Sequence, residues 1–420
     1  MKTVPKHRFI YLLLIIFMHC STVGAQTKDS FIELEGRIID EETNKPLVFV
    51  DVVLNNSNIS TITNSDGEFL LKVPKPFINE NITITHLGYK AKEIKISSIA
   101  NDQRIALTPA PTTLNEINII ASSKNARELV EETLRKKSTI YNNNNTLMTA
   151  FYRETIKKRR RNASLSEAVI KIHKQPYNNY RNDHIELVKA RKNTDYSRLD
   201  TLALKLQGGP FSNLYTDIIK YPEFIFTEEN MPLYEFSYGN STTINNKLIF
   251  VVNFKQKKQI KQPLYYGQLF IDANTLALTS AVYSLNVSNK ELSSRMFVRK
   301  KPRKVQVHPK EANYRVNYRI KDGKWYYAYS NISLTFKVNW KGKLFNNVYS
   351  LNSEMAITDW EIKDTKLAKV RHQLIRPTTI LTEKASGFSD PRFWGAYNII
   401  EPEKSIESAI KKIQRQLKKT

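Results

Sequence analysis

GRIIDEETNKPLVFVDVVLNNSNISTITNSDGEFLLKV, residues 36–73, is the stretch that decides the fold class of this chain. Residues 36–39 favour an extended conformation, residues 40–45 carry polar turn chemistry, and residues 47–54 have the Val-rich pattern of a half-buried strand. Asp66 and Gly67 form a turn signal before a further strand at residues 68–73. The stretch therefore predicts a series of short β-strands.

The order of motifs in this stretch resembles the carboxypeptidase regulatory-like domain: G-x-(I/V)-x-D, a polar turn, P-L, a Val-rich strand and T-x-(S/T)-D-G-x-F. The resemblance implies a small transthyretin-like β-sandwich, which specifies no reaction. Strand patterns at residues 81–86, 89–96 and 103–107 would complete the sandwich, with Gly88 in a turn that needs positive φ. We expect the sandwich to span residues 26–110.

Residues 111–124 are predicted to be a linker and an extra strand. The pattern L-x-E-(I/V)-x-(I/V) at residues 114–119 resembles the segment that connects the same module to TonB-dependent nutrient receptors of the Gram-negative envelope. Such a receptor needs a plug and a long strand-rich channel, and no plug signature follows. A transporter function is therefore excluded.

The first 25 residues read as a signal peptide. Lys2, Lys6 and Arg8 precede an apolar run at residues 9–18, and small residues at 23–25 offer a cleavage site. This run is shorter than the roughly 20 residues that a transmembrane helix needs. We expect an exported protein of the periplasm or outer-membrane surface, without a transmembrane helix in the mature chain.

Cys20 is the only cysteine, and it lies within this leader. The alternative is an acylated lipoprotein, but residues 17–19 lack the small residue that such processing requires. Cleavage after Ala25 would leave no thiol. The mature chain would then have no disulfide, no cysteine-ligated metal and no thiol catalysis.

The charge is strongly basic. The formal net charge of +25 becomes +22 when Lys2, Lys6 and Arg8 leave with a leader that contains no Asp or Glu. Such an excess favours anionic envelope partners, namely lipid, lipopolysaccharide or glycan, alongside envelope proteins. Export makes nucleic acid an unsuitable partner, and no nucleic-acid-binding motif accompanies the basic runs.

Two basic runs form the candidate binding surface, and ordinary solvated turns between strands are the alternative reading. Their residues are Lys157, Lys158, Arg159, Arg160, Arg161, Arg299, Lys300, Lys301, Arg303 and Lys304.

Residues 125–400 predict a larger β-rich domain that begins with a helix at residues 125–141. Strand patterns follow at residues 148–156, 168–173, 184–190 and 247–255, and hairpins are predicted around residues 272–275 and around Asp322-Gly323. The fold class is thus mainly β: a transthyretin-like sandwich followed by a larger, curved antiparallel sheet with a few helices.

The hairpin around Asp322-Gly323 contains a change of phase. Pairing across the turn places Ile320 beside Trp325, Tyr318 beside Tyr327 and Val316 beside Tyr329, with Arg315 and Arg319 on the opposite face. From Ile332 onwards the apolar residues occupy even positions. Strand side chains alternate with a period of two, so a bulge is expected near residues 330–331.

A long, aromatic, antiparallel sheet preceded by a helix resembles the half-barrel of lipoprotein carriers. That architectural resemblance implies an apolar concave face that could hold an acyl chain. Aromatic residues at strand spacing are also typical of an ordinary core, so both interpretations remain open.

The C-terminal region combines the motif DPRFWGAYN, residues 390–398, with an amphipathic helix predicted at residues 401–420. It resembles the tail of secreted two-domain proteins that carry the regulatory-like module. The favoured interpretation is that Phe393 and Trp394 anchor the tail to the sheet, and a binding epitope is the alternative.

Catalytic motifs are scarce. His308 and Glu311 match the H-x-x-E pattern of zinc carboxypeptidases, with His372 as the only later histidine, but the pattern lies in a basic segment without a recognisable substrate pocket. His86, His173 and His184 each stand alone on a predicted strand, as structural histidines do. We expect no metal and no cofactor.

Three functions follow from these patterns. The first is a non-enzymatic envelope binding or scaffolding protein. The second is a lipid or lipoprotein carrier, and the third is a zinc hydrolase centred on His308 and Glu311.

Overall fold

A computed structural model describes residues 30–100, 102–110, 125–159, 161–194, 209–245, 247–297, 303–342, 346–363, 367–385 and 392–404, together with residues 406 and 408. The predicted signal peptide, the linker with its extra strand and most of the predicted C-terminal helix lie outside these residues. Within them, no helix is both long and apolar enough to cross a membrane.

The N-terminal unit is a sandwich of two sheets, as the resemblance implied. Its strands are β1 (Phe31–Asp40), β2 (Asp51–Leu54), β3 (Ser60–Ile62), β4 (Glu68–Pro74), β5 (Asn81–Thr85), β6 (Lys92–Lys95) and β7 (Gln103–Leu107). One sheet has the order β4-β1-β7, with β7 parallel to β1, and the other has the order β3-β2-β5-β6. Alternate apolar side chains of both sheets meet in one core that includes Leu34, Ile38, Val52, Phe69 and Ile84.

The turns of the sandwich follow from local side-chain chemistry. The Asp40 carboxylate accepts hydrogen bonds from the backbone N–H groups of Glu42 (2.9 Å) and Thr43 (2.6 Å), which closes the polar turn after β1. Gly67 has a φ of +75°, and a side chain there would meet the Ile38 carbonyl oxygen at 2.7 Å. The D-G pair of the motif therefore requires glycine.

The strand predicted at residues 47–54 is shorter in the structure. Phe49 has a φ of +63°, and β2 begins only at Asp51. The Thr63 hydroxyl holds this break by accepting from the Val50 N–H (2.9 Å) and donating to the Leu47 carbonyl (2.7 Å). The break turns the Phe49 ring out of the sandwich towards Tyr329, at 5.3 Å between ring centroids.

The predicted helix is present as α1 (Ala126–Arg135) followed by the short α2 (Lys137–Ile140). A capping box between Asn125 and Glu128 starts α1, since each side chain bonds the other's backbone N–H. Leu129 and Val130 are buried on the face that meets the large sheet.

Among the described residues, the large sheet contains twelve strands whose pairings are all antiparallel. Its strands are β8 (Thr146–Lys158), β9 (Arg161–Lys174), β10 (His184–Thr194), β11 (Tyr234–Tyr238), β12 (Thr242–Ile244), β13 (Lys247–Gln256), β14 (Tyr265–Asp272), β15 (Leu278–Leu285), β16 (Val305–Lys321), β17 (Lys324–Trp340), β18 (Asn347–Ile362) and β19 (Leu374–Ile375). The order is β11-β13-β14-β15-β16-β17-β18-β8-β9-β10-β19, and β12 also pairs with β13. Two further helices of the described residues are α3 (Pro210–Leu214) and α4 (Lys290–Phe297).

Both faces of the central strands are buried. On the helical face, Ala150 and Tyr152 of β8 pack in one core with α1, α3 and the segment at residues 215–233. On the opposite face, Phe151 and Val169 pack with Ile62 of the sandwich and with Trp394 and Ile400 of the C-terminal tail. Successive side chains of β8 thus pack into two different layers, one on each face of the sheet.

The hairpin predictions are confirmed, with one correction. Asp322 (φ +49°) and Gly323 (φ +74°) form the two-residue turn between β16 and β17, and Ile320–Trp325 and Tyr318–Tyr327 are paired as predicted. The predicted Val316–Tyr329 pair is wrong, because Ala328 is left unpaired and Val316 faces Ser330 instead. The bulge therefore lies at Ala328, before residues 330–331, and it keeps Tyr327 and Ile332 on one face of the sheet.

Candidate functional site

The first basic run forms the turn between two adjacent strands. Lys157 and Lys158 end β8, Arg159 occupies the turn with a φ of +57°, and Arg161 begins β9. The Arg159 backbone N–H donates to the Val348 carbonyl (2.8 Å) at the start of β18. The turn is thereby attached to the next strand of the sheet.

The described part of the second basic run, Arg303 and Lys304, reaches the same end of the sheet. Arg303 and Lys304 directly precede β16, and the Lys304 carbonyl accepts from the N–H of Lys341 (2.8 Å), just after β17. The neighbouring ends of β16, β17, β18, β8 and β9 therefore lie side by side. The structure brings the first run together with Arg303 and Lys304 of the second, which their separation in sequence did not predict.

We call this region the basic end and define it by the cations that are described there: Lys157, Lys158, Arg159, Arg161, Arg303, Lys304 and Lys341. Lys157 and Lys158 are half-buried and the others are exposed. The described residues of these strand ends, 157–162, 303–306, 339–342 and 346–349, include no Asp or Glu. Arg160, Arg299, Lys300 and Lys301 of the predicted surface lie outside the described residues.

An apolar cluster of β16 and β17 lies next to the basic end. Val305 and Val307 of β16 pack with Phe336 and Val338 of β17. Helix α4 covers part of this cluster, since the Phe297 ring meets the Phe336 ring edge-on at 5.5 Å. The cations are therefore carried on strand ends with a packed core beneath them.

The structure does not assemble the H-x-x-E pair into a metal site among the residues that it describes. His308 lies on β16 with its Nδ1 3.3 Å from the Ser294 hydroxyl, and Glu311 is exposed beside Thr335. His372 lies next to β19, at the far edge of the sheet. No group of three potential metal ligands occurs among the described residues.

A buried charge cluster was missed by sequence analysis. Lys174, at the end of β9, places its ammonium 2.7 Å from the carboxylates of both Asp183 and Asp217. The three side chains are almost completely buried. Burial alone would lower the pKa of Lys174, but the two carboxylates outweigh it and raise that pKa, so the lysine is charged.

Three tyrosines complete this cluster. Tyr177 and Tyr318 each donate to Asp217 (2.8 Å), and Tyr221 donates to Asp183 (2.7 Å). Burial and the adjacent carboxylates raise the pKa of Tyr177 well above its usual value, so its hydroxyl stays a donor. Every buried carboxylate of the cluster is thus hydrogen-bonded, as a buried ion pair requires.

The cluster lies at the base of the loop formed by residues 175–183. Asp183 accepts from the backbone N–H of Gln175 (2.6 Å), which closes the loop at its base. Lys220 donates to the carbonyls of Pro176 (2.6 Å) and Asn179 (2.8 Å) from the side, and burial lowers its pKa to about 8.

Two clefts flank this loop. The first, the Tyr180 cleft, has a volume of about 540 Å³ and is lined by Thr146, His173, Tyr180, Arg181, His184 and Lys363, among others. The second has a volume of about 420 Å³, and Tyr180 and Arg181 line it too, together with Phe226 and two glutamates.

The view of His173 and His184 as isolated residues is wrong. They are directly paired across β9 and β10, and both line the Tyr180 cleft. His173 is also 3.2 Å from the Glu186 carboxylate, and burial nevertheless lowers its pKa. The sequence analysis missed this pair because it did not establish the pairing register of β9 and β10.

The sandwich rests on the face of the large sheet opposite the helices. The Ser60 hydroxyl donates to the Ile357 carbonyl (3.0 Å), and the Asn58 side chain donates to the Trp360 carbonyl (2.7 Å). Residues 34–119 match the family model described as CarboxypepD_reg-like domain. This match confirms the predicted resemblance for the sandwich.

The C-terminal motif fastens the CarboxypepD_reg-like domain to the sheet. Asn398 accepts from the Lys72 N–H (2.6 Å) of β4, and Trp394 packs edge-on against Phe151 (5.3 Å) of β8. The Arg153 guanidinium donates to the Ile400 carbonyl (2.8 Å). The interpretation of Phe393 and Trp394 as an anchor agrees with this packing, since the Trp394 side chain is buried.

Two solved structures show a distant similarity to this chain. A LolA-superfamily protein of Nitrosomonas europaea has 9% sequence identity, with 59% of this chain and 98% of that chain covered and a TM-score of 0.25. A DUF1329-family protein of Desulfovibrio piger has 8% identity, with 58% and 97% covered and a TM-score of 0.26. No curated protein matches the chain significantly.

Proposed function

We propose that the chain is a non-enzymatic binding protein of the cell envelope that attaches to an anionic phospholipid surface through its basic end. The observation that carries the proposal is the convergence of the first basic run with Arg303 and Lys304 on neighbouring strand ends, without a carboxylate among the described residues there. A local excess of one charge sign attracts the opposite charge over the whole surface.

The shape of the basic end suits an extended surface better than a single small anion. Neighbouring strands are about 4.8 Å apart, so five strand ends span roughly 20 Å. A basic side chain near an anionic bilayer contributes about 1 kcal/mol, and several together give stable attachment. Met296 of α4 is 51% exposed on the helix that leads into the second run, where it could add an apolar contact.

Export to the envelope belongs to the same proposal. Its support is the predicted signal peptide at residues 1–25. In this setting the basic end provides peripheral attachment, and the CarboxypepD_reg-like domain, fixed to the sheet through the tail, acts as part of one scaffold that can contact other envelope proteins.

The two alternative functions have less support. A lipid carrier needs an open apolar cavity, whereas the helical face of the sheet is filled by the chain's own side chains, among them Phe211, Leu214, Ile219 and Phe226. A zinc hydrolase needs three ligands in one place. His308 and Glu311 both lie on β16, whereas His372 lies next to β19 at the far edge of the sheet.

Vesicle cosedimentation tests the proposal. The mature protein is mixed with vesicles of phosphatidylcholine alone or of phosphatidylcholine with phosphatidylglycerol. We expect binding only to the anionic vesicles, with a loss at high salt because exposed charges are screened. Replacing Arg159 and Arg161 by Gln should weaken binding by roughly 30-fold, since two contributions of about 1 kcal/mol are lost.

The matched control is Lys90→Gln with Lys95→Gln, which removes two exposed cations from the sandwich instead. Equal losses in the two double variants would mean that the net charge, and not the basic end, determines binding. Vesicles that contain lipopolysaccharide form a separate arm, and binding to these alone would replace phospholipid by lipopolysaccharide as the partner. No binding to any anionic vesicle would refute the proposed function.

A further inference from the structure

The loop at residues 175–183 presents an unusually exposed aromatic side chain. Tyr180 is 93% exposed, more than any other large hydrophobic residue among those described. Its ring borders both clefts, and the ammonium of Lys137 lies 5.2 Å from the ring centroid. A tyrosine that packs against so little of its own chain leaves its apolar ring available to a ligand.

The chemistry around Tyr180 differs between the two clefts. In the Tyr180 cleft the charged lining residues are Lys174, Arg181 and Lys363, with His173 and His184 beside them, and no carboxylate is among the residues that line it. The second cleft contains Glu223 and Glu228. A negatively charged ligand is therefore favoured in the first cleft and disfavoured in the second.

Carboxylates behind the first cleft weaken its preference for a negatively charged ligand but do not reverse it. Lys174 is outnumbered by the two carboxylates of Asp183 and Asp217, Lys363 pairs with Glu361 (2.9 Å), and His173 contacts Glu186. The ammonium groups of Lys220 and Lys137 lie beside the same loop and offset these carboxylates. Arg181 is the lining cation that is exposed and for which no described ion pair is present. The cleft thus offers one strong anion contact and a set of polar groups, including the amides of Asn145, Gln175 and Asn182.

The loop that carries Tyr180 is held in place before any ligand arrives. Its base is closed by Asp183, its side is braced by Lys220, and Tyr177 within it donates to the buried Asp217. Buried ion pairs add little net stability, so their value here lies in fixing one loop conformation. A loop that already has its bound conformation loses less conformational entropy when a ligand binds.

An apolar ring beside amides and a cation is the combination that recognises a sugar with a carboxylate. The ring packs against the apolar face of the sugar, the amides exchange hydrogen bonds with its hydroxyl groups, and the guanidinium binds the carboxylate. We infer that the Tyr180 cleft binds an acidic saccharide. This site is separate from the basic end and does not depend on the proposed lipid contact.

Calorimetric titration with galacturonic acid oligosaccharides tests the inference. Maltose oligosaccharides of the same length serve as the neutral comparison. We expect saturable binding of the acidic oligosaccharide and weaker binding of the neutral one. Tyr180→Ala should lower the affinity for both by about tenfold through loss of the ring contact. Arg181→Gln should lower the affinity for the acidic oligosaccharide alone.

Matched control variants are Tyr266→Ala, which removes a 48% exposed tyrosine from β14, and Lys258→Gln, which removes an exposed cation after β13. Both should bind like the wild type. The inference is overturned if neither oligosaccharide binds, or if Tyr180→Ala and Arg181→Gln bind as the controls do. The result is independent of the vesicle experiment, because Arg159→Gln with Arg161→Gln should leave saccharide binding unchanged and Tyr180→Ala should leave vesicle binding unchanged.

Discussion

Arg319 of β16 forms a two-pronged ion pair with Asp51 of β2 and thereby joins the large sheet to the CarboxypepD_reg-like domain. Its Nε donates to Asp51 Oδ2 (2.8 Å), its Nη2 donates to Oδ1, and its Nη1 donates to the Ser60 hydroxyl (2.7 Å). The Arg319 side chain is only 10% exposed. Such planar pairing is specific to arginine.

We expect this pair to couple the two units energetically. A double-mutant cycle of Asp51→Asn and Arg319→Gln, measured by urea unfolding, should give a coupling energy of about 1–3 kcal/mol. The exposed pair of Arg127 and Glu131 on α1 is the control, with roughly 0.5 kcal/mol or less expected. A coupling near zero for Asp51 and Arg319 would mean that this ion pair does not couple the two units energetically.

Trp394 should be the main apolar anchor of the C-terminal tail. Its ring is buried against Phe151 and lies 4.8 Å from the Arg191 guanidinium. Trp394→Ala should reduce the free energy of unfolding by about 3–5 kcal/mol, measured by urea denaturation. The exposed Tyr180→Ala should change it by less than roughly 0.5 kcal/mol. Similar effects of the two substitutions would contradict the anchoring role.

The sequence predicted features that depend on neighbouring residues. Asp322 and Gly323 both adopt positive φ in a two-residue turn, so the hairpin of β16 and β17 could be placed from its turn chemistry. The position of its bulge was missed by a few residues, because Tyr327 and Tyr329 are both buried and only the pairing partners decide which face each takes.

The contacts between distant residues could not be predicted. Lys174, Asp183 and Asp217 come together only after folding, and charged residues in a sequence normally indicate exposed positions. The same holds for Phe49, whose ring meets Tyr329 because its positive φ interrupts the predicted strand before β2 begins. The Tyr180 cleft was missed for this reason, since its defining contacts link separate elements.

Glu154 should make the protein less stable at alkaline pH. Burial raises its pKa from 4.5 to about 7, although Tyr152 donates to it at 2.9 Å. The folded state therefore holds a proton that the unfolded state has lost above pH 4.5, and this contribution disappears as the pH rises through about 7. The loss amounts to about 3 kcal/mol at most.

The variant Glu154→Gln removes this titration and keeps an acceptor for Tyr152. We expect the stability difference between Glu154→Gln and the wild type to favour the variant more at pH 8 than at pH 5. Urea unfolding at both pH values measures this difference. Glu131→Gln, which alters a carboxylate on the surface of α1, should show the same difference from the wild type at both pH values. A pH-independent difference for Glu154→Gln would contradict the buried, protonated state.

His86 should make the contact between the sandwich and the sheet sensitive to acid. Burial and, as a smaller effect, the positive charge of Arg315 on β16 together lower its pKa from 6.5 to about 4, although Asp51 acts in the opposite direction. In the unfolded state the imidazole binds a proton below pH 6.5, while the folded state resists protonation until about pH 4. Stability is therefore lost as the pH falls through this window, by about 3 kcal/mol at most.

Replacing His86 by Asn removes the titrating group. We expect the stability of His86→Asn to fall less than that of the wild type between pH 7 and pH 4. The variant Arg315→Gln should also lose less stability in acid than the wild type, because the positive charge that repels a protonated His86 is removed. Urea unfolding at several pH values measures both effects. His372→Asn is the control, since His372 is exposed next to β19, and its acid sensitivity should equal that of the wild type. If His86→Asn loses as much stability in acid as the wild type does, the acid sensitivity has another origin.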